Sequence, residues 1–153
     1  RWKRVTGVQT CALPISTLGG SLALAQQFGV DLREPKQLRL LAGGEDLNVG
    51  GLEFHVHRAP GHRPGCVMFS VASDDPADTA SHLLFSGDVL FAGSVGRVDL
   101  PGGNAAVMAR TLRDVVLALP DDWTVLSGHG PETTIGAERA TNPYLSDRFL
   151  RTI

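Results

Sequence analysis

Three short apolar segments of this chain each end at a glycine that is followed at once by a residue able to bind a metal ion. The segments are APGH, ending at His62, FSGD, ending at Asp88, and LSGH, ending at His129. A buried strand is a rigid anchor, and a glycine at its end lets the backbone turn sharply toward a crevice. One such segment is weak evidence, because a His or Asp after glycine is more often a turn residue. Together the three predict a shared site for Zn²⁺, Fe²⁺ or Mn²⁺.

The apolar periodicity predicts strands and helices in alternation. Two period-two runs, residues 46–49 and 52–58, flank Gly50 and Gly51, and this pattern indicates a hairpin. Further strands are predicted at residues 67–71, 82–86 and 123–126, and helices at residues 18–28, 104–119, 134–141 and 144–150. An alternation without a repeat period favours a layered α/β fold.

The composition excludes several classes of protein. The chain has 153 residues, of which 42% are hydrophobic and 20% charged, as expected of a globular protein. A formal net charge of −2, with no cluster of Lys and Arg, argues against nucleic acid as a partner. No apolar run approaches the roughly 20 residues needed to span a membrane. Only Cys11 and Cys66 occur, too few for a disulfide framework, so we expect a cytoplasmic protein.

The sequence of the N-terminal segment suggests that it does not belong to the natural protein. Residues 5–15, VTGVQTCALPI, are what one reading frame of a common sequencing-library adaptor encodes. We therefore expect residues 1–15 to be non-native and residues 16–153 to form a partial domain, whose true sequence begins near Ser16 within a longer parent. An irregular natural N-terminus is the alternative.

Three long segments carry a family resemblance, which extends over roughly residues 38–150. APGHRPGCVMF, LLFSGDVLFAGSVGRVDLPGG and VLSGHGPETTIGAERATNPYL resemble consecutive signature segments of glyoxalase II-like metallo-β-lactamase-fold hydrolases. The resemblance implies the C-terminal portion of an αββα sandwich, with a two-zinc site at the edge of its sheets. It makes His62 similar to a ligand of the first metal, Asp88 to the catalytic carboxylate that bridges both metals, and His129 to a ligand of the second.

The resemblance also implies a reaction. A bridged pair of ions activates water for hydrolysis, here of a small-molecule thioester or acyl substrate of the acylglutathione type. A persulfide dioxygenase with one iron is an alternative, although Val98 and Leu100 stand where its loop has Thr and Phe. A non-catalytic fragment is a third possibility and a true β-lactamase is the weakest. The sequence does not assign an oligomeric state.

One departure from the family is the absence of its HxHxDH motif, which supplies the remaining ligands. His55 and His57 offer HxH, but Arg58 and Ala59 follow where Asp and His are required. Both imidazoles are predicted to be surface residues on the outer side of a strand. We therefore expect this chain alone to be inactive.

Other candidate residues receive structural interpretations. Arg97 and Asp99 are predicted to form an internal ion pair that pins the glycine-rich loop. Cys66 is interpreted as a small buried side chain and His82 as structural. The sequence does not decide whether Tyr144 lines the pocket.

Overall fold

The structure is a computed structural model and describes residues 41–73 and 81–152. The segment 1–15, expected to be non-native, and the helix predicted at residues 18–28 lie outside the described residues. Within the described ranges, no helix is both long and apolar enough to cross a membrane.

Short strands dominate the described part of the chain. The strands are β1 (Asp46–Val49), β2 (Leu52–Arg58), β3 (Val67–Ala72), β4 (His82–Gly87), β5 (Leu90–Phe91), β6 (Ser94–Val95), β7 (Thr124–Ser127) and β8 (Thr133–Thr134). The helices are α1 (Ala105–Asp114), α2 (Ile135–Thr141) and α3 (Asp147–Thr152), with 3₁₀ turns at Val116–Ala118 and Pro143–Leu145. The predicted hairpin and the longer strands are confirmed.

The long strands form one sheet in the order β1-β2-β3-β4-β7-β8. Neighbouring strands run antiparallel except β4 and β7, which are parallel and place Gly87 beside Ser127. Because parallel strands end at the same edge of a sheet, the residues that follow β4 and β7 emerge side by side. β5 and β6 form a separate two-stranded ribbon.

The sheet carries an apolar layer on each face. On one face, strand residues pack against α1, whose Met108 and Leu112 are buried, and against Val116 of the 3₁₀ turn that follows it. On the other face, Val56 and Phe69 belong to a second buried cluster. This mixed arrangement is the α/β fold that the sequence predicts.

The long predicted helix is shorter than expected. Asn104 is its N-cap, as predicted, and its side chain accepts a hydrogen bond from the Val107 N–H at 3.0 Å. The α-helix ends at Asp114 and continues as the 3₁₀ turn, where the β-branched pair Val115 and Val116 disfavours another α-helical turn. The turn still keeps the apolar stripe on the core.

Candidate metal centre

His62 lies in the loop between β2 and β3. Gly61 in this loop has a φ of +144°, and a Cβ there would lie 2.5 Å from the Met108 Cα, so only glycine lets the loop pack on α1. The His62 Nδ1 is 2.7 Å from the carbonyl oxygen of Arg97. Because a carbonyl can only accept, Nδ1 carries a proton and donates, which leaves Nε2 as the ring nitrogen that faces Asp88.

Asp88 directly follows β4, where Gly87 adopts a φ of +54°. The neighbouring loop closes on this turn, because the Gly128 N–H donates to the Gly87 carbonyl at 2.9 Å. A Cβ on Gly128 would lie 2.6 Å from the Asp88 Oδ1. The glycine of the LSGH segment therefore makes room for the carboxylate of the SGD segment.

His129 follows β7, with its side chain 75% exposed. Its ring stacks on Phe91, with centroids 4.4 Å apart and planes 22° from parallel. The Ser127 hydroxyl donates to the backbone carbonyl of His129 at 2.7 Å and fixes the loop. An exposed imidazole is thus held in one orientation by stacking.

The Asp88 carboxylate lies between the two imidazoles. Its Oδ2 is 3.8 Å from the His62 Nε2, and its Oδ1 is 3.9 Å from the His129 Nε2. Two ligands that are each about 2.0–2.1 Å from a tetrahedral zinc are about 3.4 Å apart, so both gaps are close to the separation of a ligand pair. Each carboxylate oxygen faces one imidazole, which fits a carboxylate shared by two cations.

The described residues supply few ligands for each cation. Among residues 41–73 and 81–152, no group of three or more His, Cys, Asp or Glu side chains is arranged to hold one ion. The arrangement instead fits two half-sites, each with one imidazole and one oxygen of the shared Asp88 carboxylate. The geometry therefore fits a dinuclear centre of which these residues form a part.

A cavity of about 580 Å³ opens in front of the three side chains. Its apolar lining residues include Phe91, Val95, Leu100 and Pro131. Tyr144 instead packs edge to face against Phe149, at a centroid distance of 5.0 Å. The site thus combines a polar centre with an apolar wall, as small-molecule sites do.

Arg97 and Asp99 form the predicted ion pair, but it lies on the surface rather than in the interior. The Arg97 Nε and Nη2 donate to the two carboxylate oxygens at 2.8 and 2.7 Å, and both side chains are exposed. The hydrogen bond from Arg97 lowers the pKa of Asp99 to about 2. No sequence pattern indicates that the carbonyl of Arg97 also orients the His62 ring.

The other histidines lie away from this centre, on the sheet. His57 is half-buried rather than a surface residue, which corrects the expectation, and its Nε2 is 2.8 Å from the Ser70 hydroxyl. Burial, followed by the nearby His55, lowers the pKa of His57 from 6.5 to about 4. His82 stacks on Trp123 at 4.5 Å. Strand pairing and aromatic packing therefore account for these rings.

With this geometry established, the family can be assigned. The sequence profile of the Metallo-beta-lactamase superfamily matches residues 25–129 of the chain. The chain belongs to the metallo-β-lactamase superfamily. Members of this superfamily are generally hydrolases that depend on divalent metal ions.

Two curated relatives share more than a third of their aligned residues with this chain. The chain is 38% identical over 118 residues to the probable metallo-hydrolase YqgX of Bacillus subtilis, covering 77% of this chain and 53% of the relative. It is 37% identical over 105 residues to hydroxyacylglutathione hydrolase GloC of Haemophilus influenzae, covering 69% of this chain and 46% of the relative. The chain spans about half the length of the curated relatives it matches.

A solved structure agrees with the fold. TTHA1623 in a di-iron-bound form superposes with a TM-score of 0.65 at 38% sequence identity, covering 89% of this chain and 63% of that one. This member of the metallo-β-lactamase superfamily is thus similar to a protein whose structure holds two iron ions.

Proposed function

We propose that this chain provides part of the dinuclear metal centre of a hydrolase that cleaves small-molecule thioesters or related acyl bonds. The observation that carries the proposal is the position of Asp88, with one carboxylate oxygen toward His62 and the other toward His129. A shared carboxylate keeps two cations close together. When bound, such a pair lowers the pKa of a water between the ions and polarises the substrate carbonyl.

The residues of this chain have separate roles in the proposed site. His62 and His129 would direct their Nε2 atoms toward the two metal ions, and the Asp88 carboxylate between them would offset the positive charge of the ions. The apolar side chains of Phe91 and Leu100 exclude water from one wall of the cavity and accommodate the acyl group. The 37% identity to hydroxyacylglutathione hydrolase GloC favours an acylglutathione-type thioester.

Turnover of S-lactoylglutathione tests this proposal. We expect the 153-residue chain with Zn²⁺ to be no faster than buffer, since its described residues supply only two ligands to each ion. A longer parent carrying HxHxDH in frame upstream of Ser16 should bind two metal ions and hydrolyse the thioester. The genomic sequence upstream of the Ser16 codon tests whether such a parent exists. Zinc-dependent turnover by the 153-residue chain, or a metal-free parent, would contradict the proposal.

An iron-dependent oxygenase is the second candidate. It is favoured by the similarity to ETHE1 from Myxococcus xanthus, a persulfide dioxygenase whose structure superposes with a TM-score of 0.61 at 26% sequence identity, covering 86% of this chain and 60% of that one. Metal analysis of the parent separates the two candidates, because the dioxygenase requires one iron and consumes oxygen. Two ions and no oxygen uptake would support the hydrolase.

A further inference from the structure

The motif TTIGAERATNP, which follows His129, contains a carboxylate without a role in the proposed centre. Glu138 and Asn142 of this motif are both 3% exposed. We propose that these two residues, the Glu138–Asn142 pair, position both imidazoles of the metal centre by fixing the β5–β6 ribbon. This inference rests on the proposed function.

Glu138 joins three separate segments of the chain. Its Oε2 accepts hydrogen bonds from the Gly93 N–H at 2.8 Å and from the Asn142 Nδ2 at 2.7 Å. Its Oε1 accepts one from the Thr133 hydroxyl at 2.7 Å. A buried carboxylate is costly unless its oxygens are bonded, and here the bonds connect α2 to β8 and to the turn of the ribbon.

Asn142 completes the attachment of the ribbon. Its Nδ2 also donates to the Ser94 carbonyl at 3.1 Å, and its Oδ1 accepts from the Tyr144 N–H at 3.0 Å. Each strand of the ribbon has only two residues, and an isolated two-stranded hairpin is marginally stable at best. The hydrogen bonds of this pair therefore help to hold the ribbon in place, together with the burial of Leu90 in the core.

Both imidazoles are held by the ribbon or by the residues that follow it. Phe91 in β5 stacks on His129. Two residues after β6, the carbonyl of Arg97 accepts the hydrogen bond from the His62 Nδ1. A shift of the ribbon would misplace one ligand on each side of Asp88, although the Glu138–Asn142 pair contacts none of the three ligands directly.

The test compares Glu138→Ala with Arg139→Ala in the 153-residue chain. Arg139 is the matched control, because it lies on the same helix as Glu138. Its side chain bonds Asp121 and the Leu117 and Leu119 carbonyls, none of which belongs to the ribbon. The readouts are the ring-current shift that Phe91 imposes on the His129 NMR signals without metal, and the apparent Zn²⁺ affinity from a titration.

In Glu138→Ala we expect the ring-current shift to be lost and the Zn²⁺ affinity to fall roughly 10–100-fold, as for other residues that orient metal ligands. Glu138→Gln should retain both, because its amide oxygen still accepts from Gly93 and Asn142 and its amide group can bond the Thr133 hydroxyl. Arg139→Ala should lower the melting temperature and leave both readouts unchanged.

The remaining outcomes are distinguishable. A folded Glu138→Ala protein with unchanged His129 signals, or equal changes in Glu138→Ala and Arg139→Ala, overturns the inference. If Glu138→Ala fails to fold, Phe91→Leu removes the stacking alone and should still lose the shift and weaken Zn²⁺ binding; unchanged affinity there also overturns the inference. If the unmodified 153-residue chain binds no Zn²⁺, the ring-current shift alone decides: its loss in Glu138→Ala supports the role of the pair and its retention overturns the inference, while metal analysis of the parent tests the proposed function separately.

Discussion

Two regions of this molecule each place histidines beside one carboxylate, with different results. At the ends of β4 and β7, Asp88 faces His62 and His129 across gaps of 3.8 and 3.9 Å. On the β1–β2 hairpin, the His55 Nδ1 bonds the Asp46 Oδ1 directly at 2.6 Å. The first carboxylate keeps a space between itself and each ring, whereas the second already has an imidazole partner.

The difference arises from where the side chains leave the sheet. Side chains that are neighbours on one face of a sheet lie at fixed spacings and can form hydrogen bonds with one another, as His57 of β2 does with Ser70 of β3. Residues that follow strand ends are carried on loops, and glycines there let the loops approach without filling the space between the polar groups. HxH spacing on a strand is therefore poor evidence for a metal site.

Replacing the carboxylate in each region gives the largest expected contrast. Asp88→Ala removes a ligand from both half-sites, and we expect the apparent Kd for Zn²⁺ to rise about 100-fold. Asp46→Ala is the matched control and should leave that Kd unchanged. Broadening of histidine NMR signals by Mn²⁺ gives an independent measurement, since it should affect His62 and His129 and spare His55. Equal losses in the two variants would mean that the hairpin also binds metal.

A smaller effect is expected when only the space around the carboxylate changes. In Gly128→Ala, the new Cβ would lie 2.6 Å from the Asp88 Oδ1 and displace it from between the rings. We expect about a 10-fold weaker Zn²⁺ affinity, with a melting temperature close to that of the unmodified chain. Zinc titration and thermal unfolding measure the two quantities. An unchanged affinity would show that the carboxylate position is not critical.

The sequence predicted the longer strands and the positions of the three candidate ligands for the same reason. Runs of apolar residues that end at glycine mark both a strand and the point where its chain leaves the sheet. Asp88 and His129 are adjacent because β4 and β7 are parallel neighbours, a pairing that no local pattern encodes. That these three residues ligate metal stays a prediction.

The supporting contacts could not be predicted from the sequence. β5, β6 and β8 have two residues each, which is too short for any periodicity. The Arg97 carbonyl belongs to the backbone and carries no sequence signal. The half-burial of His57 was missed because strand alternation assigns a face but not what covers that face.

The smallest expected effect concerns the hairpin region and its response to acid. His57 has a folded pKa of about 4, lowered from 6.5 first by burial and then by His55. Between these values the unfolded chain binds a proton that the folded chain does not, so stability falls as the pH decreases from 6.5 toward 4. Because the ring is partly solvated, we expect this loss to be on the order of 1 kcal/mol.

His57→Gln tests this contribution, because glutamine can still bond the Ser70 hydroxyl but does not titrate. Urea unfolding across the same pH range should give a flatter dependence for the variant than for the unmodified chain. An NMR titration of the His57 ring measures its midpoint independently of the other groups. Parallel pH dependences in the two proteins, or a midpoint near 6.5, would show that this imidazole takes up a proton as readily as one in water.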